Sequence, residues 1–291
     1  MNITFLGTSG MVPTKERNVQ SIHLEYRGEG ILLDCGEGTQ RQMNIANINA
    51  QKITTILISH WHGDHVSGLI GLIQTLGNFS EDNDKIIRLY GPTGTKEHLN
   101  CLLKSCLFDT QVNLEVTEIN APELQTIHET NTFSIEARNL DHSVPCIGFR
   151  FTRKEYRKVH EEKLREHHIK PGPQVGKLQH GETINHEDKQ ITPDMVSTRI
   201  EKQHISFVFD TQLCEGCYEL AEDSRILISE AVYTHELEEK AREYKHMTAR
   251  QGAQVASEAG AEELILTHFS QRYKDTQELL EDAKSLFENV S

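Results

Sequence analysis

A chain of 291 residues with 36 % hydrophobic and 25 % charged residues can bury a substantial core, as one large α/β domain or two small ones. No apolar run approaches the roughly 18 residues that span a membrane, and no basic-then-apolar leader precedes the first strand-like residues, so the expectation is a cytoplasmic protein without a membrane partner. A formal net charge of −14 argues against a general nucleic-acid binder, although the charge is unevenly spread.

In chain order, short β-branched runs predict strands over residues 3–6, 21–26, 31–35, 53–59, 86–90, 112–119, 132–139 and 147–152, then 205–210, 226–229 and 264–267. Apolar residues recur at helical spacing over 66–76. Thr248 and Gln251 read as a capping box opening a helix through Glu258, and 276–287 reads as a closing helix. Early strands at hairpin-like spacing with helices inserted predict an α/β (α+β) plan of layered αββα type, two sheets face to face with helices outside. There is no internal repeat. One stretch breaks the pattern: over 153–191 strand signals vanish, the residues are polar and charged, and Pro171-Gly172-Pro173 and Gly176 occur. This predicts a flexible arm inserted into a single domain spanning 1–291.

The six cysteines are too few for a disulfide scaffold in a chain this long and fit a reducing compartment. Cys214-x-x-Cys217 invites a redox or zinc reading, but structural zinc usually needs about four ligands and no second half accompanies it.

The strongest local signal is Ser59-His60-Trp61-His62-Gly63-Asp64-His65. Four potential ligands fall within six residues, just after the apolar run 53–58, where a strand end meets a helix start. His60 and His62 suit one cation, and Asp64 and His65 a second. Imidazole nitrogen and carboxylate oxygen suit zinc. With 16 histidines, a chance histidine-rich loop is the alternative, and the spacing argues against it. Further ligands must come from elsewhere. His142 follows 132–140, Asp210 ends 204–209 and His268 ends 264–267. Each alone reads as an ordinary loop residue; together they supply the missing donors, with Asp210 as the natural bridge.

With these residues in view, the sequence resembles the metallo-β-lactamase superfamily. Residues 60–65 match its HxHxDH hallmark. Gly7-Thr8-Ser9-Gly10 and Asp34-Cys35-Gly36-Glu37-Gly38 look like its early motifs, and the order of His142, Asp210 and His268 matches the later ones. The likeness runs nearly the whole chain and implies a four-layer αββα metallo-β-lactamase sandwich with metals at one edge. Within it, the sequence is most similar to the ribonuclease Z family of tRNA 3′-processing endoribonucleases. Pro13-Thr14-Lys15-Glu16-Arg17-Asn18 resembles that family's PxKxRN loop. Gly172-Pro173-Gln174-Val175-Gly176-Lys177-Leu178 resembles the motif of its protruding tRNA-gripping exosite arm. Glu230-Ala231 with His246 resembles its Glu–His pair, and Thr267-His268-Phe269-Ser270-x-Arg272-Tyr273 its last motif. Two departures stand out: no glycine precedes Asp210, and Trp61 separates the first two histidines.

The resemblance implies a zinc-dependent endoribonuclease that removes the 3′ trailer from precursor tRNA, leaving a 3′-hydroxyl on the tRNA and a 5′-phosphate on the trailer. It implies two Zn2+ per subunit, with Mn2+ or Mg2+ as substitutes: His60, His62 and His142 on one, Asp64, His65 and His268 on the other, Asp210 bridging. Two cations about 3.5–4 Å apart activate water and neutralise developing charge. Asp64 would orient the attacking water. His246 would protonate the departing 3′ oxygen, with Glu230 orienting its ring and raising its pKa; spacing alone assigns this pair no role. The family's dimers, in which one subunit's arm serves the other's active site, imply a homodimer.

Residues 153–177 hold eight Lys/Arg against four Glu, a net of +4, which leaves −18 on the rest of the chain. A basic arm on an acidic body suits a precursor tRNA, whose A-form surface is read through backbone and shape. Mixed charge is more often just a solvated face, but here it coincides with Gly172, Pro173 and Gly176. Lys15 and Arg17 are expected to contact the acceptor end and sense CCA, and Ser270 and Arg272 to hold the scissile region. The alternatives are a small-substrate metallohydrolase of the same fold (phosphodiesterase, thioesterase or lactonase), which has no use for a basic arm, and a non-catalytic RNA-binding module, which has no use for seven ligands.

Overall fold

Ile31, Leu32 and Leu33 are all buried, although successive strand side chains leave opposite faces. Both faces of their sheet are therefore covered. In the computed structural model, which describes residues 1–78, 86–107 and 112–291, Ile31 and Leu33 join one apolar layer and Leu32 another.

The first sheet runs in the order β1 (Asn2–Gly7), β2 (Ser21–Tyr26), β3 (Glu29–Leu33), β4 (Ile53–Leu57), β5 (Ile86–Pro92) and β6 (Asn113–Ile119). β1 to β3 pair antiparallel; β3 to β6 pair parallel. The second sheet holds β7 (Gln125–Glu129), β8 (Phe133–Leu140) and β9 (Cys146–Arg153). The chain then leaves through four short strands, β10 (Tyr156–Val159), β11 (Ile184–His186), β12 (Lys189–Ile191) and β13 (Ser197–Ile200). It returns as β14 (Gln203–Val208), β15 (Ile226–Glu230) and β16 (Leu264–Thr267). The second sheet's order is β16-β15-β14-β9-β8-β7.

Phe149, Phe151 and Phe207 from the second sheet meet Ile22, Leu24 and Leu57 from the first to fill the middle layer. Full burial of each such side chain stabilises the fold by roughly 1.5–3 kcal/mol. Outside the first sheet, Leu69, Leu72, Ile73 and Leu76 of the helix Leu69–Asn78 cover Leu32 and Ile56. Outside the second, helices Glu215–Ala221, Ala249–Glu258 and Gln277–Lys284 cover Leu227 and Leu264. The expected αββα layering is thus present. The capping box at Thr248 is also present: its hydroxyl accepts from Gln251 N at 3.2 Å, and Gln251 Oε1 accepts from Thr248 N at 2.9 Å.

The insertion differs from the expected 153–191. Strand signals do not vanish there: β10 pairs with β13 and β11 with β12, so the arm closes only at the start of β14. These strands escape sequence reading because their side chains are largely polar and exposed; only one residue of β11 and one of β12 are buried. The arm carries its own apolar cluster of Leu164, Ile169, Leu178, Ile184, Ile191 and Val196. Among the described residues, no helix is long and apolar enough to cross a membrane.

β14, β15 and β16 are mutually parallel, and β8 points the same way because two antiparallel steps separate it from β14. Residues just past the C-terminal ends of these strands therefore gather at one edge. His142, Asp210, Glu230 and His268 are all delivered there.

Candidate metal centre

Asp34, Asp210 and His268 each adopt a left-handed backbone, with φ of 55°, 43° and 57°, as the chain leaves a strand. Such conformations cost of order 1–3 kcal/mol each in non-glycine residues and concentrate at functional sites. Here they turn the side chains back over the sheet edge.

There the sequence-predicted donors converge. One group is His60, His62, His142 and Asp210; a second is Asp64, His65 and His268. Within each, one donor atom per residue lies within 4.8 Å of the others. Asp210 faces both groups: Oδ1 lies 3.3 Å from Nε2 of His65 and of His268, and Oδ2 3.7 Å from His60 Nε2. Asp64 Oδ2 lies 3.4 Å from Nε2 of His65 and of His268. His142 Nε2 lies 3.3 Å from His62 Nδ1.

The electrostatics suit a cation. Burial pushes His60 well below its ordinary imidazole value, and His62 and His142 are lowered mainly by burial too, so all three present neutral nitrogen lone pairs. Burial favours the neutral form of Asp64, but hydrogen bonds with His268 and His65 outweigh it and hold the carboxyl far below the usual range. Asp210 is likewise held ionised against burial by His268, His65 and His60. His65 resists the effect of burial and is raised well above its ordinary value by Asp210 and Asp34. Buried His60 Nε2 and Asp210 Oδ1 have no hydrogen-bond partner, a costly state for polar atoms that a shared cation relieves. Five imidazoles and two carboxylates are also the donor types zinc accepts. The residues present therefore fit a metal.

Supporting contacts fix the donors. Asp34 Oδ2 lies 2.7 Å from His65 Nδ1, and the same carboxylate accepts from Ser59 N and Ser59 Oγ at 2.8 Å each. This aims His65 Nε2 inward. His142 Nδ1 lies 3.0 Å from the Lys245 carbonyl. The Met11 amide donates to Asp64 Oδ2 at 2.7 Å. Gly10 passes so close to His268 that an added Cβ would lie 2.9 Å from its Cε1. Sequence reading singled out the segments holding Gly10, Asp34 and Ser59 without giving these residues a task.

Glu230, buried at the end of β15, places Oε2 3.1 Å from His246 Nδ1 and accepts from Thr211 N at 2.5 Å. Burial opposes charge on His246, but Glu230 wins and raises it to about 9. His246 packs on His142 and His268, with ring centroids 5.2 and 5.8 Å away.

A cleft of about 520 Å³ opens on these groups, lined by Met11, Asp64, His142, Asp210, Tyr244, His246 and His268 among others. A neighbouring hollow of about 340 Å³ shares Met11, Tyr244, His246 and His268 and adds Tyr233, Lys240, Ser270 and Arg272. The Arg272 guanidinium lies 5.4 Å from the Tyr233 ring centre. Ser270 and Arg272 therefore line the hollow that adjoins the centre. Lys15 is exposed. Arg17 is instead half-buried and tied into the fold: it donates to the Tyr273 carbonyl at 2.6 Å and lies over Phe269. Trp61 anchors its loop by donating to Thr95 Oγ1 at 2.8 Å, outside the ligand set. Gly172 and Pro173, the latter opening the helix Pro173–Gln179, line a separate hollow with Lys170 and His186 that contains no centre residue. Gly176 lies within that helix, with open space where a Cβ would stand.

An αββα sandwich with a histidine–aspartate metal site at its edge defines a protein of the metallo-β-lactamase fold. A family model described as anti-Pycsar protein Apyc1 matches residues 1–278. Ribonuclease Z of Methanothermobacter thermautotrophicus is 39 % identical over 288 residues, covering 99 % of this chain and 92 % of the relative. Ribonuclease Z of Bacillus cereus is 39 % identical over 299 residues, covering 100 % and 96 %. The short form of human tRNase Z superposes with a TM-score of 0.70 at 26 % identity, covering 94 % of each chain. The metallo-β-lactamase fold protein YhfI from Bacillus subtilis superposes at 0.69 and 18 % identity, covering 99 % of this chain and 93 % of that one, and shares the fold. The chain belongs to the family that the Apyc1 model describes and to the ribonuclease Z family.

Proposed function

We propose that this chain is the tRNA 3′-processing endoribonuclease of its cell, a cytoplasmic homodimer that cuts the 3′ trailer from precursor tRNA. The carrying observation is that a converged histidine–aspartate centre and an inserted arm whose first part, 153–177, holds eight Lys/Arg against four Glu occur in one chain, over the full length of which the relatives named ribonuclease Z align.

In this reading His60, His62 and His142 would hold one Zn2+, Asp64, His65 and His268 would hold the other, and Asp210 would serve both. Bound divalent cations supply Lewis acidity to the phosphoryl group and lower the pKa of nearby water. The chain's own groups do the rest. Asp64, steadied by the Met11 amide, orients the attacking water. His246, kept protonated by Glu230, gives its proton to the departing 3′ oxygen. The products are a tRNA with a 3′-hydroxyl and a trailer with a 5′-phosphate. The arm grips phosphates, with Gly172, Pro173 and Gly176 shaping its approach to the tRNA. Lys15 meets the acceptor end. Arg17 shapes the loop that carries Lys15, and Ser270 and Arg272 hold the strand at the cleft.

The test is to incubate metal-analysed protein with precursor tRNAs with and without CCA and to map the cut. A cut at the 3′ end of the acceptor stem, with the expected termini, supports the reading; uncut precursor in the presence of zinc overturns it.

A second reading, hydrolysis of a small phosphodiester, uses the same centre. The charge balance of the whole arm favours it, because residues 154–202 hold ten Lys/Arg against nine Asp/Glu. Replacing residues 154–202 with a short linker separates the two. Precursor-tRNA cleavage collapses under the first reading, while a small phosphodiester is still cleaved under both.

A further inference from the structure

β14, the helix Glu215–Ala221 and β15 form a strand–helix–strand unit with parallel strands. Cys214 immediately precedes the helix and Cys217 lies in its first turn, which places their Sγ atoms 3.7 Å apart. Cys217 is fully buried, whereas Cys214 is partly exposed. No cysteine belongs to a metal-holding group among the described residues. The mechanism above uses neither thiol.

The two sulfurs are chemically unequal. Pairing with Cys217 is the largest cause that lowers the Cys214 thiol, to about 6, while the same pairing and burial push Cys217 well above the ordinary thiol value. A reachable thiolate thus sits against a buried thiol, the arrangement that favours attack by the first sulfur and resolution by the second.

We propose that Cys214 and Cys217 form an oxidisable dithiol, closed to a disulfide by exchange with a low-molecular-weight disulfide, and that closure disturbs the turn carrying Asp210. The Cys214 thiolate attacks one sulfur of the small disulfide, breaking its S–S bond and releasing one thiolate. Cys217 then gives up its proton and attacks the Cys214 sulfur, expelling the second small thiolate. The protein dithiol loses two electrons and the small disulfide gains them. Closure shortens the sulfur separation from 3.7 Å to about 2.0 Å. Cys214 Sγ also lies 3.7 Å from Thr211 Oγ1, so drawing it toward Cys217 alters that contact. Thr211 follows Asp210, donates its amide to Glu230, and through its hydroxyl accepts from the amide of Asp141, the neighbour of His142. The turn therefore links the dithiol to both sides of the centre.

The whole chain is equilibrated with oxidised and reduced glutathione at graded ratios, alkylated and digested with trypsin. Residues 203–225 form one peptide that contains both cysteines and no others. We expect that peptide to lose the mass of two hydrogen atoms. In Cys217→Ser we expect it to carry one glutathione on Cys214, because no resolving thiol remains. An unmodified peptide, under conditions that glutathionylate exposed Cys101 and Cys106, overturns the proposal. The coupling rests on the tRNA-processing reading: cleavage of precursor tRNA falls about tenfold to a hundredfold in the oxidised wild type, returns with dithiothreitol, and does not fall in Cys214→Ser, which lacks the attacking thiol. Unchanged cleavage by the disulfide form refutes the coupling. If the reduced protein cleaves no precursor tRNA, the tRNA-processing reading fails instead, and the mass measurement still decides the dithiol.

Discussion

Glu230 is fully buried, and its carboxylate is divided between the Thr211 amide at 2.5 Å and His246 Nδ1 at 3.1 Å. A buried carboxylate against an imidazole favours the imidazolium, and His246 is raised to about 9 as a result. If His246 delivers a proton, the active form is present below that value and lost above it. Turnover of precursor tRNA should fall as pH rises through about 9. Glu230→Gln removes the raising charge, so the fall should move to lower pH, as a pH–rate profile would report. His246→Ala should lower the maximal rate by about 10²–10⁴-fold.

Asp64 faces His65 and His268 at 3.4 Å while accepting the Met11 amide. Asp64→Ala should reduce turnover on the order of 10³-fold and leave tRNA affinity nearly unchanged, because the arm supplies the grip. Single-turnover kinetics beside a filter-binding titration separates the two. A variant that turns over normally rules out the role assigned to Asp64.

Asp34 is buried, and it holds His65 by Nδ1 at 2.7 Å. Asp34→Asn keeps the shape and removes the charge. Zinc affinity, measured by competition with a chromogenic chelator, should weaken about 10–100-fold. Affinity equal to wild type would mean that His65 needs no such orientation.

Leu178 is fully buried within the arm's own cluster. Leu178→Ala should cost about 2–5 kcal/mol of local stability. Trypsin should then cut within 154–202 sooner, and precursor-tRNA cleavage should drop while bis(p-nitrophenyl) phosphate hydrolysis persists. Equal loss on both substrates would place the arm's effect in the centre itself.

The centre was legible where its chemistry is local. His60, His62, Asp64 and His65 occupy one short loop, and apolar runs ending at His142, Asp210 and His268 marked their strand ends. What escaped depends on pairing between distant segments. Asp34 lies 31 residues from His65, and only the parallel pairing of β3 with β4 brings them together. Arg17 reads as a free cation in sequence, but its carbonyl partner lies at Tyr273, across the closure of the chain. The arm's strands were hidden because they are short and polar: the inward positions of β10 are Arg157 and Val159, both only half-buried, so no run of alternating apolar residues forms.

The central claim is that seven side chains hold a pair of divalent ions on which cleavage depends, and metal removal and return tests it most directly. The account predicts two zinc equivalents per chain in active protein, loss of precursor-tRNA cleavage on chelation, and recovery as both equivalents are restored. Full-rate cleavage by protein shown by elemental analysis to be metal-free would contradict it.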